Sequence, residues 1–241
     1  MDDEPHDEFV RHDDLGVLVH TKTHGRLAEL IYRALPPDAQ AFVRFSDVEL
    51  HWHARSPDEI EGDNLLTSGG DTEHEQYAHT YKLHLEPDGS LHHLVGSAPT
   101  VIAQTPRLCR DAIREGKFDE ARERFVQTFC HYAVDLSTPW HVTRSLTSAQ
   151  HKGGELDIAK HNGAWLPKDL APLALSDPKS LYRSAVGQAE RTYRMHVVAL
   201  EQVQAPDGKI PDNDVAKAIV ADAAGFGLAV ALYTWRWMAS A

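Results

Sequence analysis

A short stretch in the middle of the chain carries a regular series of imidazole and carboxylate side chains. His131 and Asp135 are four residues apart, His151 and Glu155 repeat that spacing, and His141 lies between the two pairs. Residues four apart on a helix project from the same face, so each pair is predicted to present its two donors together. A chain with this series is expected to fold so that separate segments meet at one point.

Pro139 marks where the first of these helices ends. Proline lacks an N–H and clashes with the preceding turn, so His141 lies just past a break at which the chain can fold back. Nitrogen and oxygen donors in this combination are what divalent metal ions bind, zinc above all. With 16 histidines in the chain, some His/acid pairs arise by chance. The complete series with a proline inside it nevertheless predicts a metal site.

The same residues resemble the signature of a superfamily that contains the zinc-dependent phospholipases C and the fungal zinc single-strand nucleases. The signature is H-x3-D-x5-H followed by H-x3-E or H-x3-D, with Pro two residues before the middle His, and residues 131–155 match it. The rest of the chain fits more loosely. The resemblance implies an all-α, single-domain multi-helix bundle with two or three zinc ions that hydrolyses phosphate esters.

The resemblance also implies where the ligands of the first zinc ion lie. The family takes an Asp from an irregular loop and a His further along the chain. Asp71 with His84, which precedes a Pro-Asp-Gly turn, is the preferred pair here, and Asp63 with His79 is the alternative. In the predicted hairpin His84 shares a face with charged residues, which favours His79.

The strongest part of the signature supplies the remaining ligands of two sites. His131 and Asp135 would complete the first site. The second site, with an open position for water, would consist of His141, His151 and Glu155.

A third site would be formed by His24, at the start of the first helix, together with Asp135. In the family the amino group of an N-terminal Trp assists that His, and no Trp occurs at this N-terminus. His20, four residues before His24, is a candidate for the missing donor. A solvent-facing pair of histidines is the alternative.

Three carboxylates would give the site its chemistry. Asp135 is the natural bridge between zinc ions, and ions held close together lower the pKa of a bound water towards neutrality. The implied reaction is attack of the resulting hydroxide on phosphorus, with Asp71 as a base towards the water. Glu155 is the third carboxylate assigned to catalysis.

Composition bears on the substrate. The formal net charge of −12 argues against a protein that tracks a phosphate backbone, and the nearby groups suited to binding nucleotides are Trp140, Arg144 and Trp165. A phospholipase C-like hydrolase acting on a phospholipid or small phosphate ester is therefore the first hypothesis. A single-strand nuclease or 3'-nucleotidase, with nucleic acid as partner, is the second. A non-catalytic zinc-binding protein of the same fold is the third.

The first half of the chain is predicted to contain the irregular parts of the fold. An acidic, loosely held segment, residues 1–18, precedes a single domain, residues 19–241. A helical apolar stripe follows His24 and ends at Pro36-Pro37. Residues 51–75 are predicted to be an irregular loop, and a small β-hairpin is predicted near residues 80–96.

The second half is predicted to be helical. Two helices occupy residues 99–136, another opens at Ser176-Asp-Pro178, and the last spans residues 214–238. The last helix contains an apolar run about 20 residues long, which is the length of a membrane span. Charged residues interrupt this run, and Gly225 and Gly227 indicate close packing. We therefore predict a core helix and not an integral membrane protein.

The chain ends and cysteines bear on location. The acidic N-terminus shows no signal peptide, so the chain is expected to be cytoplasmic as written, or secreted or periplasmic if a leader has been removed. The two cysteines, Cys109 and Cys130, give no disulfide framework.

Overall fold

The part of the protein that the structure describes is an all-α bundle with one small β-hairpin, as the sequence predicts. A computed structural model describes residues 14–59 and 78–240. The helices in chain order are α1 Asp14–Ala34, α2 Pro37–Val43, α3 Asp47–Glu59, α4 Ala98–Arg114, α5 Phe118–Gln127, α6 Ala133–Leu136, α7 Pro139–Val142, α8 Ser148–Lys160, α9 Asn162–Trp165, α10 Leu181–Thr192, α11 Val198–Val203 and α12 Asn213–Ala239. The antiparallel strands β1 Lys82–Leu85 and β2 Leu91–Val95 form the hairpin.

Two π turns interrupt long helices. Thr128–Tyr132 joins α5 to α6, and Tyr193–Val197 joins α10 to α11. A π turn widens the helix locally and changes the direction in which its side chains point, and such turns occur frequently at functional sites. The first of them contains His131.

Helix α12 runs through the middle of the hydrophobic core. It contributes residues to two buried clusters, one shared with α1, α3 and α5, the other shared with the hairpin, α4 and α10. A Cβ atom at Gly227 would lie 2.5 Å from the carbonyl oxygen of Phe129, so only glycine allows α12 to approach the π turn this closely. The close packing predicted at this glycine is confirmed.

Helix α12 is also, within the described ranges, the one helix long and apolar enough to cross a membrane. In its most apolar 18-residue window, 72% of the residues are buried inside the protein. Because both hydrophobic clusters depend on it, we assign α12 as a core helix.

The structure differs from the sequence predictions at three element boundaries. Helix α1 already begins at Asp14, so the last part of the segment predicted to be loose is helical. Residues 51–59, predicted to be loop, belong to α3, and residues 60–75 of that predicted loop lie outside the described residues. Helix α10 begins at Leu181, later than predicted, because Ser180 and not Ser176 caps it by accepting a hydrogen bond from the backbone N–H of Arg183.

Helix α3 has a local cause that the loop prediction overlooked. The Ser46 hydroxyl accepts from the backbone N–H of Glu49 at 3.3 Å, while the Glu49 carboxylate accepts from the backbone N–H of Ser46 at 2.7 Å. This reciprocal capping box satisfies two otherwise unpaired donors and starts a helix.

Candidate metal centre

Six segments of the chain bring imidazole and carboxylate groups to one place between α1, α6 and α8. The donors come from α1, the turn before β1, the first π turn, α6, α7 and α8. They are His24, His79, His131, Asp135, His141, His151 and Glu155. The structure therefore brings together the whole H-x3-D-x5-H-x9-H-x3-E series.

Asp135 lies at the centre of this arrangement and only 1% of its surface is exposed. Its Oδ1 atom is 3.1 Å from His24 Nε2 and 3.8 Å from His141 Nε2. Its Oδ2 atom is 3.3 Å from His131 Nε2 and 3.4 Å from His79 Nδ1. One carboxylate thus faces four imidazole rings, which is the geometry expected of a bridging ligand.

Backbone carbonyls fix the orientation of two of these rings. The Nδ1–H of His24 donates to the carbonyl of Cys130 at 2.8 Å, and the Nδ1–H of His131 donates to the carbonyl of Ala54 at 3.0 Å. In the neutral rings Nε2 then carries a lone pair, which in His24 lies 3.1 Å from the Asp135 carboxylate and in His131 lies between that carboxylate, at 3.3 Å, and Nδ1 of His79, at 2.6 Å. Two acceptors face each other stably only with a proton or a cation between them. In metal sites a backbone carbonyl that accepts from the second ring nitrogen of a ligating histidine is a usual outer-shell partner.

A second group of donors lies beside the first. His151 Nε2 is 2.6 Å from Glu155 Oε1, and His141 Nε2 is 3.6 Å from the same oxygen. In each of the two groups, His24/His131/Asp135 and His141/His151/Glu155, one donor atom per residue lies within 4.8 Å of the others. Each group has the size and the mixed nitrogen and oxygen donors of a zinc site.

Buried atoms without hydrogen bonds show that the residues fit a cation. Neither ring nitrogen of His141 nor the Oδ2 atom of Asp135 has a hydrogen-bond partner in the described part of the chain, although all three are buried. Most buried polar atoms in proteins are paired, and leaving one unpaired costs about 1–3 kcal/mol. A metal ion between these atoms removes that cost.

The charge states also suit metal binding. Burial would raise the pKa of Asp135, but His141, His131 and His24 around it hold that pKa well below its ordinary value. Burial lowers the pKa of His141, against the opposing effect of Asp135 and Glu155. At neutral pH the site therefore presents an ionised carboxylate and a neutral imidazole, which are the forms that ligate metals.

The centre opens to solvent on one side. The side chains of His24, His131 and Asp135 are at most 3% exposed, whereas that of Glu155 is 18% exposed and that of His151 is 36% exposed. The first group is enclosed in the core, and a substrate can reach the second.

The glycine pair between His151 and Glu155 has a packing role that sequence reasoning missed. The Trp140 ring stacks on His151 with an interplanar angle of 6°, and a Cβ atom at Gly154 would lie 2.1 Å from that Trp ring. A Cβ at Gly153 would lie 2.0 Å from the carbonyl oxygen of Asp207. The signal was present as two adjacent glycines inside a helix, where they are otherwise unfavourable.

The structure places the two alternative histidines of the first site differently. His79 lies against His131 and Asp135, whereas His84, the preferred residue, is exposed on β1 and away from the centre. The preference for His84 is not supported because alternation along β1 turns Leu83 inward and His84 outward. Asp63 and Asp71 lie outside the described residues.

Three further predictions concern residues near the centre. His20 lies in α1 one turn before His24, and only its backbone is described. Trp140 and Trp165 are 2% and 4% exposed, so neither offers a face for stacking nucleotides. Arg144 is exposed. The stacking groups that a nuclease needs are therefore not provided by these two tryptophans.

The fold is all-α and phospholipase C-like, as the sequence resemblance implies. Two solved structures of alpha-toxins share the fold. That of Clostridium perfringens, isolated from avian strain SWCP, has a TM-score of 0.55 and 13% identity over 93% of this chain and 63% of the toxin. That of Clostridium absonum has a TM-score of 0.55 and 15% identity over 92% of this chain and 64% of the toxin.

This chain therefore spans less than two thirds of the length of either toxin structure, and at such identities the likeness shows the fold alone. No family model and no curated protein sequence matches the chain. The nuclease half of the sequence resemblance has no support from these comparisons.

Proposed function

We propose that the protein is a zinc-dependent phosphoric ester hydrolase of the phospholipase C type. The observation that carries this proposal is the pair of donor groups, His24/His131/Asp135 and His141/His151/Glu155, which meet around one buried carboxylate. Such a shared carboxylate suits ions held close together, and clustered ions of this kind act on phosphate esters.

We assign the ligands as follows. His79, His131 and Asp135 would hold one zinc ion, and His24 with Asp135 would hold another. His141, His151 and Glu155 would hold the ion nearest solvent. When bound, zinc supplies an acidified water and neutralises charge on the phosphoryl oxygens.

The protein's own groups provide orientation. The carbonyls of Cys130 and Ala54 lock the tautomers of His24 and His131, so these rings need no reorganisation to bind. Trp140 holds the ring of His151 in one plane. Glu155, partly exposed, is the described carboxylate placed to accept a proton on the substrate side. Asp71 remains a prediction for the same role.

The substrate we propose is a phospholipid or a small phosphate diester. The phospholipase C-like fold favours it, and the burial of Trp140 and Trp165 speaks against nucleic acid. The excess of acidic residues, 36 against 24 basic ones, also disfavours a polyanionic partner.

Metal analysis combined with hydrolysis assays tests this function. The protein purified without chelator should contain two or three zinc ions per chain and should hydrolyse bis-p-nitrophenyl phosphate. Parallel assays on phosphatidylcholine and single-stranded DNA separate phospholipase from nuclease. Zinc without turnover of any of these would identify a non-catalytic zinc-binding protein, and absence of any transition metal would refute the proposal.

Variants test the assignment of individual residues. Asp135→Asn should lose zinc and reduce the rate by more than about 100-fold, the upper range for removing even an outer-shell partner. His79→Ala should likewise lose rate, whereas His84→Ala should not. The matched control is His161→Ala, an exposed imidazole outside the centre. Full zinc content and rate in Asp135→Asn would show that the bridging role is wrong.

A further inference from the structure

Two histidines of the hairpin face each other on the outside of the protein, away from the centre. His84 of β1 and His92 of β2 are directly opposite partners in the antiparallel register, and both are exposed. Directly opposite residues have Cβ atoms about 4.5–5.5 Å apart and point to the same face of the sheet. Two imidazoles at that separation can reach one ion.

The other face of the hairpin holds the pair in place. Leu83 is 4% exposed, and the ring of His93 stacks on that of Tyr81 with centroids 4.0 Å apart. At the turn, the carbonyl of Gly89 accepts a hydrogen bond from the guanidinium of Arg194 at 3.1 Å. Because Leu83 packs into the core and the turn is bonded to the second π turn, the hairpin holds the two outer rings at this separation.

The outer rings are also chemically available. Neither His84 nor His92 makes a side-chain hydrogen bond, ion pair or ring contact with any described residue. Two imidazole nitrogens are donors that suit divalent transition metals.

We propose that His84 and His92 bind one divalent transition-metal ion on the surface of the hairpin. The affinity for such a site rises along the first-row metals and is highest for Cu²⁺. This site is separate from the buried centre and does not depend on the proposed hydrolase function.

The hairpin connects this site to the segment that carries His141. The backbone N–H of Tyr81 donates to the carbonyl of His141 at 3.0 Å, and the ammonium group of Lys82 donates to the carbonyl of Trp140. An ion that ties β1 to β2 should therefore stabilise this junction as well, because it binds only the folded hairpin.

Titration of the zinc-loaded protein with Cu²⁺ tests the proposal. We expect one Cu²⁺ per chain with two nitrogen ligands in the electron paramagnetic resonance spectrum, unchanged zinc content, and a raised melting temperature. His84→Ala and His92→Ala should each weaken Cu²⁺ binding by at least about tenfold, the lower range for losing an outer-shell partner.

His161→Ala is the control, since it removes an exposed histidine elsewhere, and it should leave Cu²⁺ binding unchanged. The hairpin variants should melt at the wild-type temperature without Cu²⁺, which shows that they fold. Equal Cu²⁺ affinity in wild type and in both hairpin variants would overturn the proposal, as would a wild-type protein that binds no additional ion.

Discussion

Substitution of Gly154 by alanine tests the link between packing and the metal centre. The added Cβ atom would lie 2.1 Å from Cζ2 and 2.8 Å from Cε2 of Trp140, and 2.8 Å from the amide nitrogen of Gln204. Since Trp140 is 2% exposed, its ring has no open space into which it can move. The ring must shift, and His151, which stacks on it, shifts with it.

The size of the effect follows from two opposing contributions. Replacing glycine by alanine inside a helix stabilises by about 1 kcal/mol, whereas forcing an extra methyl group into a packed core costs about 1–3 kcal/mol. The net change in the free energy of unfolding should therefore lie between about zero and 2 kcal/mol of destabilisation. In addition, zinc bound at His151 and Glu155 should be held about 10–100-fold more weakly, as when an outer-shell partner is lost.

Gly187→Ala provides the matched control. Gly187 also lies within a helix, but its added Cβ would meet chiefly the hydroxyl of Ser176, at 2.6 Å, which can rotate away into solvent. Urea unfolding of the chelator-treated variants measures packing alone, and zinc competition with a chromogenic chelator measures the centre. If Gly154→Ala is as stable as Gly187→Ala and binds zinc as tightly as the wild type, the packing argument is refuted.

Three other predictions follow from the sequence and the structure together. Burial would raise the pKa of Asp222, but hydrogen bonds from His196 and Arg191 hold it below its ordinary value. Above about pH 4 the free energy of unfolding should therefore be larger for the wild type than for Asp222→Asn. Acid titration of both proteins should show this difference vanish as the pH falls through the pKa that Asp222 has in the folded protein. His20→Ala should lower the zinc content by one ion per chain by elemental analysis, and an unchanged content would rule out His20 as a ligand. Chelation should lower the melting temperature in calorimetry, because metal binds the folded chain only.

The ligand series could be predicted from the sequence because its geometry is local. The spacing of His131 and Asp135 specifies one helix face, and Pro139 specifies where that helix stops. The turn of the chain at His141 follows from the proline. Length and apolar content likewise identified α12 before its packing was known.

Features that depend on contacts between distant segments could not be predicted. The choice between His79 and His84 depends on which face of β1 meets the core, and the alternation of side chains along a strand does not say which of its two faces is buried. The histidine rings are oriented by the backbone carbonyls of Ala54 and Cys130. Every residue has such a carbonyl, so the residue types do not indicate which ones take this role. Helix α3 was missed because residues 51–75 contain glycines, many acidic residues and few apolar ones, whereas the capping box that starts the helix lies earlier, at Ser46.

The uneven enclosure of the two donor groups has a kinetic consequence. An ion held by His24, His131 and Asp135 could leave only if the helices around it opened, so its residence time would follow the rate of local unfolding. An ion held at the solvent side by His151 and Glu155 could exchange through an existing opening. The protein would thus retain the enclosed ion as a permanent part of its structure, while the ion at the solvent side would exchange with metal ions in solution.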